Sequence, residues 1–221
     1  CCMHLDNGQM WIGTTTNGAY RLQLDKNELT HPILKGNITS IYQDSEGELW
    51  IGSWEEGLHH VKTDGTIEIF EYDAKNPYSI SSNFVRACCE DNLGNIWIGT
   101  FNGLNRYDKS TGLFQNHTAS DAQSDGLTHS SIWCIVKDNQ GTLWLGTYFG
   151  GVNYFNPEYE IYSRYMYSPI EKKGLSNPVV GRTIEDKDGN LWIGTEGGGL
   201  NYYNRRTREF KWFRPEIGPN S

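Results

Sequence analysis

Long apolar runs are missing from this chain. No stretch approaches the ~18 apolar residues that a membrane-spanning helix needs, so no such helix is expected. Positive charge is scarce too: 19 Lys and Arg face 27 Asp and Glu in 221 residues, a formal net charge of −8. A nucleic-acid surface wants a basic stripe, and none appears. No window carries a helical apolar period of useful length. The five cysteines are odd in number and include no C-x-x-C spacing, so they specify neither a zinc site nor a disulfide framework. The chain is rich instead in glycine, 25 residues, and in aromatic side chains, 13%. That composition suits many turns between packed strands in one all-β domain.

Five tryptophans stand in nearly the same context: Met10-Trp11-Ile12-Gly13-Thr14, Leu49-Trp50-Ile51-Gly52-Ser53, Ile96-Trp97-Ile98-Gly99-Thr100, Leu143-Trp144-Leu145-Gly146-Thr147 and Leu191-Trp192-Ile193-Gly194-Thr195. They are separated by 39 (11 to 50), 47 (50 to 97), 47 (97 to 144) and 48 (144 to 192) residues, the spacing of solenoids, propellers and arrays. A turn signal precedes each: Asp6-Asn7-Gly8, Asp44-Ser45-Glu46-Gly47, Asp91-Asn92-Leu93-Gly94, Asp138-Asn139-Gln140-Gly141 and Asp186-Lys187-Asp188-Gly189. Asp and Asn bond their own backbone two residues on, and Gly accepts positive φ, so these are hairpin turns. An apolar run lies before each turn, another follows a second Gly, and a third closes most units. Four short strands per unit result, rich in β-branched and aromatic residues. The tryptophan strands do not alternate with polar residues, so both of their faces are expected to be covered. A radial stack of four-stranded antiparallel sheets does this, which makes the expected fold a β-propeller.

An apolar strand, D-x-x-G, an apolar-Trp-Ile-Gly-Thr core and then Gly103-Leu104-Asn105-Arg106-Tyr107 together resemble the two-component regulator propeller repeat. The resemblance covers about residues 1–214. It departs at Ala19-Tyr20 in the first copy and at His59-His60, in place of Asn-Arg, in the second. It implies the periplasmic sensor region of a hybrid two-component system, a type frequent in gut Bacteroidetes and also found with some diguanylate cyclases. It implies a ligand such as an oligosaccharide, and no cofactor.

Blades are expected at about 1–37, 38–83, 84–131, 132–178 and 179–214, followed by a linker-like tail, 215–221. Aligned on the turn, Cys1-Cys2-Met3 falls opposite Ala87-Cys88-Cys89, so the chain opens midway through a strand, and nothing after Phe213 supplies a replacement. An incomplete arc of a larger propeller is expected, with exposed apolar blade faces suited to a neighbouring propeller or a second protomer. A closed five-bladed ring and a fragment of a longer chain are the alternatives. The cysteines are expected to be buried small apolar residues.

Other motifs fail as chemistry. The turn acids Asp44, Asp91, Asp138 and Asp186 recur with the repeat, so turn geometry explains them. Asp186-Lys187-Asp188-Gly189-Asn190 lacks the acidic twelfth position of a calcium loop. His59 and His60 alternate across a strand and are poorly placed to share a metal. Gly197-Gly198-Gly199 precedes no helix and is no phosphate cradle. Nothing in the spacing assembles a nucleophile, base and orienting group.

Binding is therefore sought where the copies differ. The loops between second and third strands and the blade connections, about 73–83, 118–131 and 168–178, should emerge on one face. They offer Trp54, Glu55, Phe101, Asn102, Tyr148, Phe149 and Glu196. Arg86 and Trp133 share a repeat position at the start of the inner strand. Aromatic faces stack on sugar rings, while Asn, Glu and Arg satisfy hydroxyls or acidic groups. Trp212 is expected to pack on an outer strand. The expected role is non-enzymatic ligand sensing outside the cytoplasm, with no nucleic-acid or membrane contact in this segment. The alternatives are a protein-interaction scaffold and a propeller lyase or glycosidase.

Overall fold

A computed structural model describes residues 2–6, 8–30, 33–119, 126–157 and 161–214. The tail from 215 and part of the 118–131 connection lie outside them. The chain divides into two compact units, Cys1–His117 and Thr118–Ser221.

The first unit holds three four-stranded sheets. They are β1 (Cys2–Asp6) to β4 (Glu28–Leu29) through β2 (Gln9–Gly13) and β3 (Ala19–Gln23); β5 (Ile38–Gln43), β6 (Leu49–Ser53), β7 (Leu58–Val61) and β8 (Ile67–Phe70); and β9 (Val85–Glu90), β10 (Ile96–Thr100), β11 (Gly103–Asp108) and β12 (Leu113–His117). The second unit holds two: β13 (Ile132–Lys137), β14 (Leu143–Thr147), β15 (Val152–Asn156) and β16 (Ile161–Tyr165), then β17 (Val180–Glu185), β18 (Leu191–Thr195), β19 (Gly199–Asn204) and β20 (Glu209–Phe213). Each sheet is a sequential antiparallel meander, the blade of a β-propeller. No helix occurs among the described residues.

Trp11, Trp50, Trp97 and Trp144 are buried between neighbouring strands and sheets, whereas Trp192 is half-buried beside the exposed Ile184 and Leu200. In the second and fourth blades the glycine of the tryptophan motif lets the next blade approach. A Cβ on Gly52 would lie 2.7 Å from Val85 Cγ1, and one on Gly146 would lie 2.6 Å from Val180 Cγ1, closer than real Cβ contacts allow. Val85 and Val180 open the inner strands of the following blades, so this glycine sets the blade-to-blade distance.

Charge closes two junctions. Lys109, in the outer turn of the third blade, lies 3.0 Å from Asp44 in the second and 3.5 Å from Glu90 in its own. Arg205 repeats this in the second unit, 2.8 Å from Asp138 and 3.4 Å from Glu185. Glu90 also accepts from the Ser45 backbone and hydroxyl, and Glu185 from the Asn139 backbone.

The register corrects one sequence alignment. Met3 pairs with Ile12 and Cys2 with Gly13, whereas Cys88 pairs with Ile98 and Ala87 with Gly99. Cys2 therefore matches Ala87, and Met3 matches Cys88. The first turn is one residue shorter, and strand pairing keeps step with its Asp rather than its Gly. Cys88, Cys89 and Cys134 are buried free thiols, and burial pushes Cys88 up to about 12.

Candidate functional site

The repeat residues are committed to the scaffold. In the second blade Asp44 Oδ1 accepts the backbone N–H groups of Glu46 and Glu48, while Oδ2 accepts the Trp50 indole at 2.8 Å. Asp91 and Asp138 hold Trp97 and Trp144 the same way, at 2.7 and 2.6 Å. The Ser or Thr ending the motif donates to the carbonyl of the Gly at the start of the third strand, as in Thr147 to Gly151 and Thr195 to Gly199. The motif Asn ties down the incoming blade connection: Asn105, Asn153 and Asn201 accept from the backbone of Ser81, Thr128 and Ser176. All three are fully buried.

The residues that vary stand on the opposite side of this accounting. The inner strands are bulged near their start, so that two residues oppose one: the register shifts between Ile38 and Ser40, across Arg86 opposite Gly99 and Thr100, between Ile132 and Cys134, and between Val180 and Arg182. The extra residues are Thr39, Arg86, Trp133 and Gly181. A bulge re-aims a side chain out of the ladder. Here it turns Arg86 and Trp133 toward the loops that follow the tryptophan motif.

Two ring groups result, one in each unit. In the first, the Arg86 guanidinium lies 4.8 Å from the Trp54 ring centroid and 5.9 Å from that of Phe101. Phe84 meets Trp54 edge-on at 5.5 Å and Phe101 at 6.1 Å. Arg86 is buried, while Trp54 and Phe101 are 37% and 54% exposed, so the rings screen a cation and still face solvent. In the second unit Trp133 stacks on Tyr148 at 5.5 Å and 12°. Phe149 and His129 pack against Tyr148. The loops are fixed to the connections by backbone bonds, Trp54 to Asn37, Phe101 to Phe84, Tyr148 to Ser131 and Glu196 to Val179, which places both loop sets on one face within each unit.

Of the candidate residues, the structure thus brings together Trp54, Arg86 and Phe101, and separately Trp133, Tyr148 and Phe149. Glu55 and Asn102 are exposed neighbours of the first group, and Glu196 is exposed with no ring contact recorded among the described residues. Phe84 and His129 were not singled out by the sequence. Phe84 reads as the first residue of a core strand, and His129 sits in a polar connection. Trp212, on the outer strand β20, donates to the Gly174 carbonyl at 2.9 Å.

One acidic and histidine cluster lies elsewhere. Ligand atoms of Asp44, Glu48 and His60 fall within 4.8 Å of one another. His60 bonds Glu48 and stacks on Trp50. Both Asp44 oxygens already accept donors, and Lys109 supplies the local cation. His59 takes the place of the motif Asn in this blade. It is buried, its Nδ1 has no partner, and burial holds it below its ordinary value.

Residues 32–55, 79–102, 126–149 and 174–197 match the model of a family described as two component regulator propeller. No curated protein sequence matches the chain. Among solved structures the chain is similar to the extracellular domain of a hybrid two component system from B. thetaiotaomicron, at 20% identity over 95% of this chain and 29% of that one, with a TM-score of 0.77. A second such domain from the same organism is 21% identical over 98% of this chain and 28% of its own, with a TM-score of 0.71. Virginiamycin B lyase from Staphylococcus aureus is 14% identical over 99% of this chain and 70% of its own, with a TM-score of 0.73. Likeness at these identities is a likeness of fold. The chain spans less than a third of the length of the first two.

Proposed function

The chain belongs to the two component regulator propeller family, and on that premise we propose that it is a non-enzymatic part of an extracytoplasmic, periplasmic sensor in a hybrid two-component protein. Its ligand is a glycan or glycan fragment, taken up at the loop face of the blades. The observation that carries this reading is the placement of Arg86 and Trp133. They occupy one repeat position, each stands at a bulge, and each is met by the aromatic residue that follows the tryptophan motif, residues that no scaffold contact of the repeat requires. Exposed rings beside a guanidinium suit a sugar, whose apolar face stacks and whose hydroxyl or acidic groups accept hydrogen bonds. A signal follows if the ligand has different affinities for two packings of the sensor with a neighbouring propeller or second protomer.

Calorimetric titration with neutral and acidic oligosaccharides tests this. Saturable heat that is lost in Trp54→Ala or Trp133→Ala, with the fold intact, supports it. A folded protein that binds none of them, but captures a polypeptide through the same loops, favours a protein-interaction scaffold. Turnover of a bound sugar abolished by one Asp, Glu or His substitution would make it an enzyme.

A further inference from the structure

Among the described residues, the junction between the first two blades shows no counterpart of the ionic latch found at two others. In the third and fifth blades the residue two positions beyond the motif Tyr, Lys109 after Tyr107 or Arg205 after Tyr203, reaches the turn Asp of the preceding blade and the Glu at the end of its own inner strand. Strand pairing identifies the equivalents in the second blade. His60 faces Trp50 as Arg106 faces Trp97 and Tyr202 faces Trp192, so Lys109 and Arg205 correspond to Thr63. Glu90 and Glu185, each one residue before the turn Asp, correspond to Gln43. A cation and an anion are thus replaced by two shorter or uncharged side chains, and β4 of the first blade is only two residues long.

A cleft of about 470 Å³ opens there, lined by Gln9, Trp11, Arg21, Gln43, Lys62 and Thr63. Its size falls within the ~300–1,000 Å³ of small-molecule sites. Arg21 lies across the Trp11 ring, 5.9 Å from its centroid. Its Nε is buried and has no hydrogen-bond partner, and no carboxylate lies within ion-pair range of Arg21 among the described residues. Lys62, by contrast, is engaged by Glu68. Among the described residues the cleft therefore presents one planar cation without an ion-pair partner, Arg21, over an indole face, with Ile33, Val61 and Ile67 supplying apolar wall.

The geometry points to a second ligand site at this junction, specific for a small organic monocarboxylate with an apolar ring or chain. A guanidinium fork matches a planar carboxylate through its terminal amino groups. One cation without an ion-pair partner among the described residues matches one negative charge. The site is separate from the loop-face rings and stands whether or not those rings bind a glycan.

The test is titration of the purified chain with benzoate, with benzamide and inorganic phosphate in parallel, read by calorimetry and tryptophan fluorescence. Benzoate should bind saturably and benzamide at least ~10-fold more weakly, as expected for a charge-assisted bond. Arg21→Gln should lose at least ~10-fold in affinity. The double variant Gln43→Glu with Thr63→Arg, which rebuilds the latch inside the cleft, should abolish binding and raise Tm. If Arg21→Gln does not fold, Arg21→Lys, which keeps charge but removes the fork, should still weaken benzoate binding. The inference is overturned if the folded protein shows no saturable benzoate binding, if benzamide or phosphate binds as well, or if affinity survives in the latch variant.

Discussion

The Arg205 guanidinium donates to Asp138 Oδ2 at 2.8 Å, joining the outer turn of one blade to the inner turn of the blade before it. The same carboxylate oxygen accepts the indole of Trp144 at 2.6 Å, and the guanidinium also lies 5.3 Å from the Trp144 ring centroid. One aspartate therefore holds a turn, a core tryptophan and a neighbouring blade.

Removing the cation should be costly for that reason. Arg205→Ala leaves a carboxylate whose side chain is 1% exposed without its counter-charge, and should destabilise by about 2 kcal/mol. Urea denaturation of the single variant and of Arg205→Ala with Asp138→Asn checks this. The cost in the double variant should be well short of the sum of the two singles.

Scaffold and loop tryptophans should separate cleanly. Trp97→Ala removes a buried indole and should cost roughly 3–5 kcal/mol, whereas Trp54→Ala, at an exposed site, should cost less than about 1.5 kcal/mol. Thermal melts ranking them in the opposite order would refute the division.

Asn153 accepts from the Thr128 backbone and donates to the Thr128 hydroxyl. Asn153→Ala removes the acceptor of the part-buried Thr128 amide and should destabilise by about 2 kcal/mol. Hydrogen exchange at the Thr128 amide should rise before the strands of that blade exchange.

Acid should find His59. Its folded value lies below the ordinary 6.5 because burial disfavours the charged ring. The unfolded chain then binds the proton first, so the stability His59 contributes is complete above 6.5 and is lost as pH falls through the window beneath it. His59→Asn, which restores the residue of the third, fourth and fifth blades, should flatten stability between about pH 7 and 5. Equal slopes for the two proteins would exclude His59 as the source.

Much of this was legible locally. The Asp–Trp clamp joins residues six apart in the second, third and fourth blades, and the turn, the glycine and the tryptophan strand recur in all five copies, so one repeated pattern gives the blade. The candidate rings were legible by exclusion, as residues that break the pattern. Phe84 and His129 were not, because nothing local separates a ring that opens a core strand from one that leaves it. The first-blade register slipped for a similar reason: a turn shortened by one residue can be aligned on its Asp or its Gly, and only hydrogen-bond pairing chooses.

The sequence by itself determined the repeat, the four-stranded blade and the duties of the recurring turn Asp, turn Gly and core Trp, because turns and strand periodicity are short-range. Tertiary structure decided which departures meet. Bulges turn Arg86 and Trp133 into the loops, Lys109 and Arg205 cross to blades that lie a whole repeat away in sequence, and Thr63 with Gln43 leaves a junction open. Those outcomes depend on how one sheet registers against the next, and no residue's local pattern carries that information.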